Sequence, residues 1–391
     1  MGNFSKYILD IAAGAGLAFS LLVVFVVDFA LRLSGGPGAN TLENVKVIEV
    51  PSRHRDPKRL SLGVTPTGEF VDAIAKKVDK WDDMGKLLDE LGAGYKHKVV
   101  RIEDLINNPK SVHDYDVLFL TCADGGENEL KDVLVSYVTE GGILYASDWR
   151  YKAIARAFPD MVDESLVGQG AGQKLEADIV DPALRDALKT NKIELKFDLG
   201  EWKTAAFGGP RTKVLMKGTY KKLKEAGALK SEEATAPLMV KFQVGKGTVI
   251  FTSFHNEKQN SRTEKQLLQY LVFSLVTAGV DNEIGSSLDQ GGFSARGSNL
   301  LSTPQRNQTI TKKYDNRAAA DLRFALGFRN EGAKLRFNIQ SPDGKQFTWE
   351  GTSTVILEVP NAAAGTWTYS VTDLQLPYEN FPFTVTVGEK K

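Results

Sequence analysis

The sequence contains one cysteine and no excess of charge of either sign. Cys122 is the only cysteine in 391 residues, which excludes an internal disulfide and a zinc site built from several cysteines, and leaves the redox compartment open. Basic and acidic residues number 49 each and no long basic run occurs, so bulk electrostatics predict no nucleic-acid partner. The length and the 42% of hydrophobic residues allow two domains with a substantial core.

One long apolar run lies near the N-terminus. Residues 11–27 carry no charge and are bounded by Asp10 and Asp28. A membrane helix needs about 20 residues, within a range of roughly 17 to 25. A cleaved signal peptide is the alternative, but Lys6 is the only basic residue before the run, which exceeds an h-region of about 7 to 15 residues. We therefore predict a transmembrane anchor over residues 1–34.

This anchor defines the expected partners and location. Membrane contact is predicted for residues 8–33, in which Ala12, Gly16 and Ser20 share one helix face. Small residues on one face let helices pack closely in lipid, which indicates a homo-oligomer or a membrane-protein partner. A short N-terminal tail is more easily retained than a large domain, so we expect a single-pass protein with extracytoplasmic soluble domains.

The following residues alternate between strand and helix patterns. Residues 35–44 read as a linker, and residues 45–284 predict an α/β domain with a flavodoxin-like, doubly wound parallel sheet. Residues 45–50 are assigned as its first strand and Asp82 as the cap of the next helix. Residues 141–146 are predicted to form another buried strand, which leads into the segment where a catalytic nucleophile would stand.

The last third of the chain has a different pattern. Residues 285–312 are rich in Gly, Ser, Asn and Gln without apolar periodicity, which predicts a linker or extended arm. Residues 313–391 show period-two alternation with regular turn signals, which predicts an all-β sandwich. Residues 364–369, Ala-Gly-Thr-Trp-Thr-Tyr, resemble a late-strand motif of immunoglobulin-like and pre-peptidase C-terminal modules.

A second stretch carries a family resemblance. Gly245 and Gly247 enclose a tight turn before a β-branched run, and His255 and Glu257 fall just past its end, where α/β sheets place their sites. Residues 254–257, Phe-His-Asn-Glu, resemble the Phe-His-Pro-Glu of class I glutamine amidotransferases, and the strand resembles the final core strand of their ThuA-like relatives. The resemblance implies that the histidine and glutamate activate a nucleophile.

The nucleophile of that family is a cysteine on a strand-to-helix elbow. After the strand at residues 141–146 this chain reads Ser-Asp-Trp-Arg, and aligning the next helix with the family puts Asp148 at the nucleophile position, one residue after Ser147. A carboxylate cannot perform thiol chemistry. The resemblance therefore implies a non-catalytic relative, with no cofactor.

Two other nucleophiles are open from sequence. Ser147 can serve with His255 as base and Glu257 as orienting group, although the bulky Trp149 after the elbow disfavours a tight turn. Cys122 ends the preceding strand, where a buried structural thiol is the simpler interpretation. The corresponding function is a ThuA-like hydrolase or carbohydrate-active enzyme that uses His255 and Glu257.

Carboxylates and imidazole in this region also raise the question of a metal. Asp148, Glu201, His255 and Glu257 have suitable side chains, but no close ligand spacing supports a site, and we predict no metal. The favoured interpretation is that His255 is hydrogen-bonded to Asp148 or Glu257 and shapes a pocket.

Aromatic residues follow the elbow and the later acidic segment. Trp149, Tyr151, Glu201 and Trp202 are predicted to form a binding rim; the alternative is that the three aromatic residues only cover the edge of the sheet. The sequence as a whole predicts a membrane-anchored, non-catalytic binding or scaffold subunit of a cell-envelope complex.

Overall fold

The computed structural model describes residues 41–50, 59–72, 77–197, 201–208, 212–224, 231–303 and 307–391. The predicted anchor at residues 1–34 lies outside these ranges, as does most of the linker predicted at residues 35–44. Within them, no helix has both the length and the apolar character that a bilayer crossing requires.

The larger sheet has a parallel centre. Numbered in chain order with all other strands, its parallel members are β2 (Leu62–Val64), β5 (His97–Val99), β6 (Val117–Leu120), β7 (Ile143–Ser147) and β14 (Gly247–Thr252). Across the sheet they run β5-β2-β6-β7-β14, which is the 2-1-3-4-5 order of flavodoxin-like folds. Strands β6 and β7 are buried along their whole length, as expected for parallel strands covered on both faces. The predicted α/β class with a parallel sheet is confirmed.

Antiparallel strands extend this sheet beyond β14. They are β8 (Val162–Gly170), β9 (Gln173–Ile179), β10 (Lys192–Phe197), β11 (Trp202–Phe207), β12 (Thr212–Leu223) and β13 (Ser231–Val244). A separate hairpin is formed by β3 (Glu69–Asp72) and β4 (Lys77–Lys80). The helices are α1 (Met84–Leu91), α2 (Ile102–Asn107), α3 (Lys131–Glu140), α4 (Tyr151–Ala157), α5 (Pro182–Leu188) and α6 (Arg262–Gln290). Within this extension, β11 contacts the 3-10 turn that follows β7.

The remaining strands form two antiparallel sheets around a common core. They are β1 (Lys46–Val50), β15 (Phe293–Thr303), β16 (Thr309–Asn316), β17 (Ala320–Phe328), β18 (Lys334–Gln340), β19 (Gln346–Gly351), β20 (Thr354–Ala362), β21 (Gly365–Gln375) and β22 (Phe381–Lys390). Their orders are β1-β20-β17-β22-β15 and β16-β21-β18-β19. Alternating side chains from both sheets, including Phe324, Leu335 and Trp367, are buried between them.

The first strand belongs to this C-terminal unit, which corrects the sequence assignment. Residues 46–50 pair antiparallel with β20 instead of opening the parallel sheet. The strand is half-exposed at a sheet edge, and a short apolar run of this kind fits the edge of either sheet. Its partner is chosen by tertiary packing, which the local pattern does not encode.

The predicted linker at residues 285–312 is also wrong. Helix α6 continues to Gln290, and β15 and β16 occupy most of the remainder. Strand β15 pairs on one side only, with β22, so most of its side chains are partly or fully exposed. An edge strand of this type needs no apolar alternation, which explains why its composition resembles a linker.

Helix α6 connects the two units. Ser261 and Glu264 form a capping box at its start. Leu271 lies in the core of the α/β unit, whereas Ile284 and Leu288, further along, lie in a cluster with sandwich residues. One continuous helix therefore packs into the core of the α/β unit and, further along, against the outer face of one sandwich sheet.

Candidate functional site

The segment after β7 forms a strand-to-helix elbow. Strand β7 ends at Ser147, a 3-10 turn spans Asp148–Arg150, and α4 begins at Tyr151. Asp148 has φ of +47°, a left-handed conformation that is uncommon outside glycine and tends to occur at functional positions. A sharp turn with one residue held in such a conformation is the geometry of a nucleophile elbow. The structure places Asp148 at its apex.

The Asp148 carboxylate is fully buried and both oxygens have partners. Oδ1 accepts the backbone N–H of Lys203 at 2.5 Å. Oδ2 lies 3.2 Å from Nε2 of His255 and 3.7 Å from Sγ of Cys122. Burial raises the pKa of Asp148, and the hydrogen bond with His255 opposes that rise. At the apex of the elbow this chain therefore has a buried carboxylate engaged by three neighbouring groups.

Ser147 is directed to a different partner. Its hydroxyl donates to Oδ2 of Asp82 at 2.5 Å, and the Tyr145 hydroxyl lies 3.3 Å from the same oxygen. Oδ1 of Asp82 accepts the backbone N–H of Asn256 at 3.2 Å. The serine is thus one of several donors around a buried carboxylate, which is not the environment of a serine paired with a histidine base.

The helix cap that we assigned to Asp82 is made by its neighbour. The side chain of Asp83 accepts from the backbone of Lys86 at 3.1 Å, while Asp82 is completely buried. Two adjacent aspartates satisfy the same capping rule. Sequence reasoning therefore missed Asp82 as a site residue, because its role depends on strands β7 and β14.

Glu257 does not have the orienting role implied by the resemblance. Its carboxylate pairs with Nζ of Lys86 at 3.0 Å on α1, and its side chain is 26% exposed. The carboxylate next to His255 belongs to Asp148 instead. The structure therefore does not assemble Ser147, His255 and Glu257 as a catalytic triad.

The four residues considered as metal ligands, for which no site was predicted, are brought together only in part. Asp148 and His255 meet, Glu257 is paired with Lys86, and Glu201 is a half-buried residue just before β11. Cys122, which was not among those four residues, joins Asp148 and His255. Its sulfur, the Asp148 carboxylate and the His255 imidazole lie within 4.8 Å of one another. Burial raises the pKa of the Cys122 thiol.

Trp202 belongs to the core, contrary to the predicted binding rim. Its indole is 1% exposed, stacks on Phe197 with ring centroids 3.7 Å apart, and lies 5.0 Å from Tyr220. The indole N–H donates to the carbonyl of Ala171 at 2.7 Å. Gly170 lies against the indole, where an added Cβ would overlap the ring. An apparent surface aromatic is buried because β8 and β12 cover it.

Trp149 and Tyr151 are nearer to the surface. Trp149 is half-buried, with the ammonium groups of Lys203 and Lys152 at 4.4 and 4.9 Å from its ring centroid. Tyr151 is half-buried and packs against the apolar core beside α4. Burial lowers the pKa of Lys203. This tryptophan-lysine group is the part of the predicted rim that remains accessible.

Arg150, the last residue of the 3-10 turn, is also buried at the elbow. It is 1% exposed, and it donates to the carbonyl of Thr121 at 3.1 Å and to that of Gly125 at 2.8 Å. Burial lowers the pKa of the guanidinium. The arginine thereby ties the elbow to the loop after β6.

A cleft of about 280 Å³ lies elsewhere, among the first residues of β6 and β7, α6 and the sandwich. Its lining includes Tyr115, Asp116, Tyr137, Phe328 and Arg329. These residues lie at the amino ends of the parallel strands, whereas the elbow lies at their carboxyl ends. We therefore locate the candidate site by its chemistry and not by this cleft.

Neither a protein-family model nor a curated protein matches the sequence. Among solved structures, the match with a ThuA-like protein from Bacteroides uniformis covers 58% of this chain and 95% of that one, at 10% identity and a TM-score of 0.39. The match with a glutamine amidotransferase from Thermotoga maritima covers 58% and 88%, at 12% identity and a TM-score of 0.29. The match with a β-galactosidase from Bacillus circulans covers 77% and 41%, at 12% identity and a TM-score of 0.33. At these values the similarities carry no conclusion about activity, and the fold assignment rests on the strand order.

Proposed function

We propose that this protein is a membrane-anchored, non-catalytic subunit with an amidotransferase-like fold, which acts as a binding or scaffold component at the cell envelope. The observation that carries the proposal is the elbow. Asp148 occupies the nucleophile position, is fully buried, and has both carboxylate oxygens engaged by Lys203, His255 and Cys122. A nucleophile must be reachable by substrate and paired with a base.

The joining of the two units supports a scaffold role. Helix α6 packs both in the core of the α/β unit and against the outer face of one sandwich sheet, and Arg329 of the sandwich pairs with Asp116 of the α/β unit at 3.0 Å. Such an arrangement holds two surfaces in a defined relation, as a subunit that bridges partners requires. The partner is proposed to be a membrane protein or a second copy of this chain.

Electrophilic trapping tests the absence of a nucleophile. The full-length protein is incubated with a small haloacetamide and a fluorophosphonate, and its intact mass is measured before and after denaturation. We expect no adduct on the native protein, because Ser147 and Cys122 are fully buried, and one thiol adduct per chain after unfolding. Cys122→Ser is the matched control and should give no thiol adduct in either state. A native-state adduct at Ser147 or Cys122 would contradict the proposal.

Thiol labelling can test on which side of the membrane the soluble domains lie, because the sequence has only one cysteine and it is buried. Val99 is 71% exposed, and the single cysteine is buried, so Val99→Cys introduces a unique accessible thiol. A membrane-impermeant maleimide should label this variant in intact spheroplasts and leave the unsubstituted protein unlabelled. Ser5→Cys, in the short N-terminal tail, should react only after lysis. Labelling of Val99→Cys only after lysis would instead place the domains in the cytoplasm.

A further inference from the structure

Three potential metal-binding atoms converge at the carboxyl ends of the parallel strands. Cys122 follows β6, Asp148 is at the apex of the elbow after β7, and His255 follows β14. Oδ2 of Asp148 lies 3.2 Å from Nε2 of His255 and 3.7 Å from Sγ of Cys122. All three atoms lie within 4.8 Å of one another, and the residues are at most 4% exposed.

These separations match the geometry of a tetrahedral zinc site. Zinc bonds of about 2.3 Å to sulfur and about 2.0 to 2.1 Å to nitrogen or oxygen put nitrogen–oxygen pairs roughly 3.3 Å apart and sulfur–oxygen pairs roughly 3.6 Å apart. The two pairs that include Asp148 have the measured distances of 3.2 and 3.7 Å. The sulfur–nitrogen pair, within 4.8 Å, closes to a tetrahedral separation with a shift of about 1 Å.

We propose that Cys122, Asp148 and His255 bind a zinc ion. Thiolate, carboxylate and imidazole are the ligand types that zinc prefers, and its double positive charge neutralises the thiolate and the carboxylate where unpaired charge is costly. A fourth ligand, such as water or a small anion, completes the coordination. The inference goes beyond the proposed function, because it concerns what the closed elbow holds and not whether it catalyses a reaction.

The surroundings of Asp148 support this assignment. Its Oδ1 accepts the backbone N–H of Lys203, which fixes the carboxylate and leaves Oδ2 directed toward Cys122 and His255. Hydrogen bonds of this kind to the second oxygen orient a metal-binding carboxylate. The positive φ of the elbow holds the same side chain in place from the backbone.

Cobalt substitution gives a site-specific test, because a thiolate bound to cobalt produces a charge-transfer band in the near ultraviolet. Cys122 is the only cysteine, so any such band reports this residue alone. The full-length protein, stripped with chelator under anaerobic conditions, should develop the band to saturation at one equivalent of Co²⁺ and lose it when Zn²⁺ is added. Cys122→Ser should abolish the band.

His255→Ala and His113→Ala form a matched pair. Loss of His255 should lower zinc affinity by more than the roughly 10- to 100-fold that loss of an outer-shell partner costs. His113 is a partly exposed imidazole that precedes β6, near the amino end of that strand and away from the elbow, and its loss should leave the affinity unchanged. Circular dichroism spectra identify any variant that fails to fold.

X-ray absorption spectroscopy of the zinc-loaded protein requires no substitution. We expect one sulfur at about 2.3 Å and nitrogen or oxygen ligands at about 2.0 to 2.1 Å. The absence of a charge-transfer band, a zinc shell without sulfur, or equal zinc retention by a folded His255→Ala variant would each overturn the proposal. In those cases the three residues form a metal-free hydrogen-bonded group.

Discussion

Replacing Trp202 by alanine is expected to lower the free energy of unfolding by about 3 to 5 kcal/mol, because a large buried aromatic leaves a cavity that the surroundings fill only partly. The indole is 1% exposed and stacks on Phe197 with centroids 3.7 Å apart. Its N–H donor also satisfies the carbonyl of Ala171. The residue therefore contributes packing and a buried hydrogen bond at the same position.

Denaturant unfolding followed by circular dichroism measures this effect, with Trp149→Ala as the matched control. Trp149 is half-buried and contacts two lysine ammonium groups, so its loss should cost about 1 kcal/mol or less. Trp202→Phe should fall between the two, because it keeps an aromatic ring but loses the N–H donor. If Trp149→Ala and Trp202→Ala lower the free energy of unfolding equally, Trp202 is not a core residue.

Replacing Arg329 by alanine should also be strongly destabilising. Its side chain is 16% exposed and pairs with Asp116 at 3.0 Å across the two units and with Glu331 at 2.7 Å. Asp116 additionally accepts the backbone N–H of Ser61 at 2.9 Å. Removing one member of a buried ion pair costs about 3 to 5 kcal/mol, because the charges that remain lose their compensation.

Arg336→Ala is the control for this prediction. Arg336 makes a pair of the same type, with Glu350 at 2.7 Å, but the two side chains are 46% and 37% exposed. Exposed pairs contribute about 0 to 1 kcal/mol. The same denaturant experiment should therefore separate the two variants clearly. If Arg329→Ala lowers the free energy of unfolding no more than Arg336→Ala does, the ion pair between the units does not stabilise the fold.

The parallel sheet and the position of the elbow follow from local sequence. Strands β6 and β7 are continuous apolar runs, which indicate burial on both faces. The family resemblance placed Asp148 after β7 without any knowledge of distance. These features are visible because each depends on a few neighbouring residues.

The contacts inside the site depend on the folded chain and could not be predicted. Asp82 and Asp83 are equivalent as helix caps, and only the folded chain decides which one turns inward. The sequence allows either Asp148 or Glu257 beside His255, and only the folded chain selects Asp148. Cys122 is 26 residues away from Asp148 in the sequence, so their contact leaves no local pattern.

The edge strands of the sheets could not be assigned from the sequence either. Residues 46–50 and β15 each pair on one side only, so neither carries a full burial pattern. The choice of partner strand is made by packing between distant parts of the chain. Sequence reasoning accordingly placed the first in the wrong sheet and read the second as a linker.

Ammonia release from glutamine tests the central claim most directly, because glutamine hydrolysis is the activity that the elbow of a catalytic amidotransferase provides. The full-length protein, zinc-loaded and zinc-free, is assayed beside His255→Ala at equal concentration. With a buried carboxylate, Asp148, at the apex of the elbow, we expect release at the rate of the buffer blank in every sample. Turnover above the blank that disappears in His255→Ala would show a working catalytic site and contradict the account.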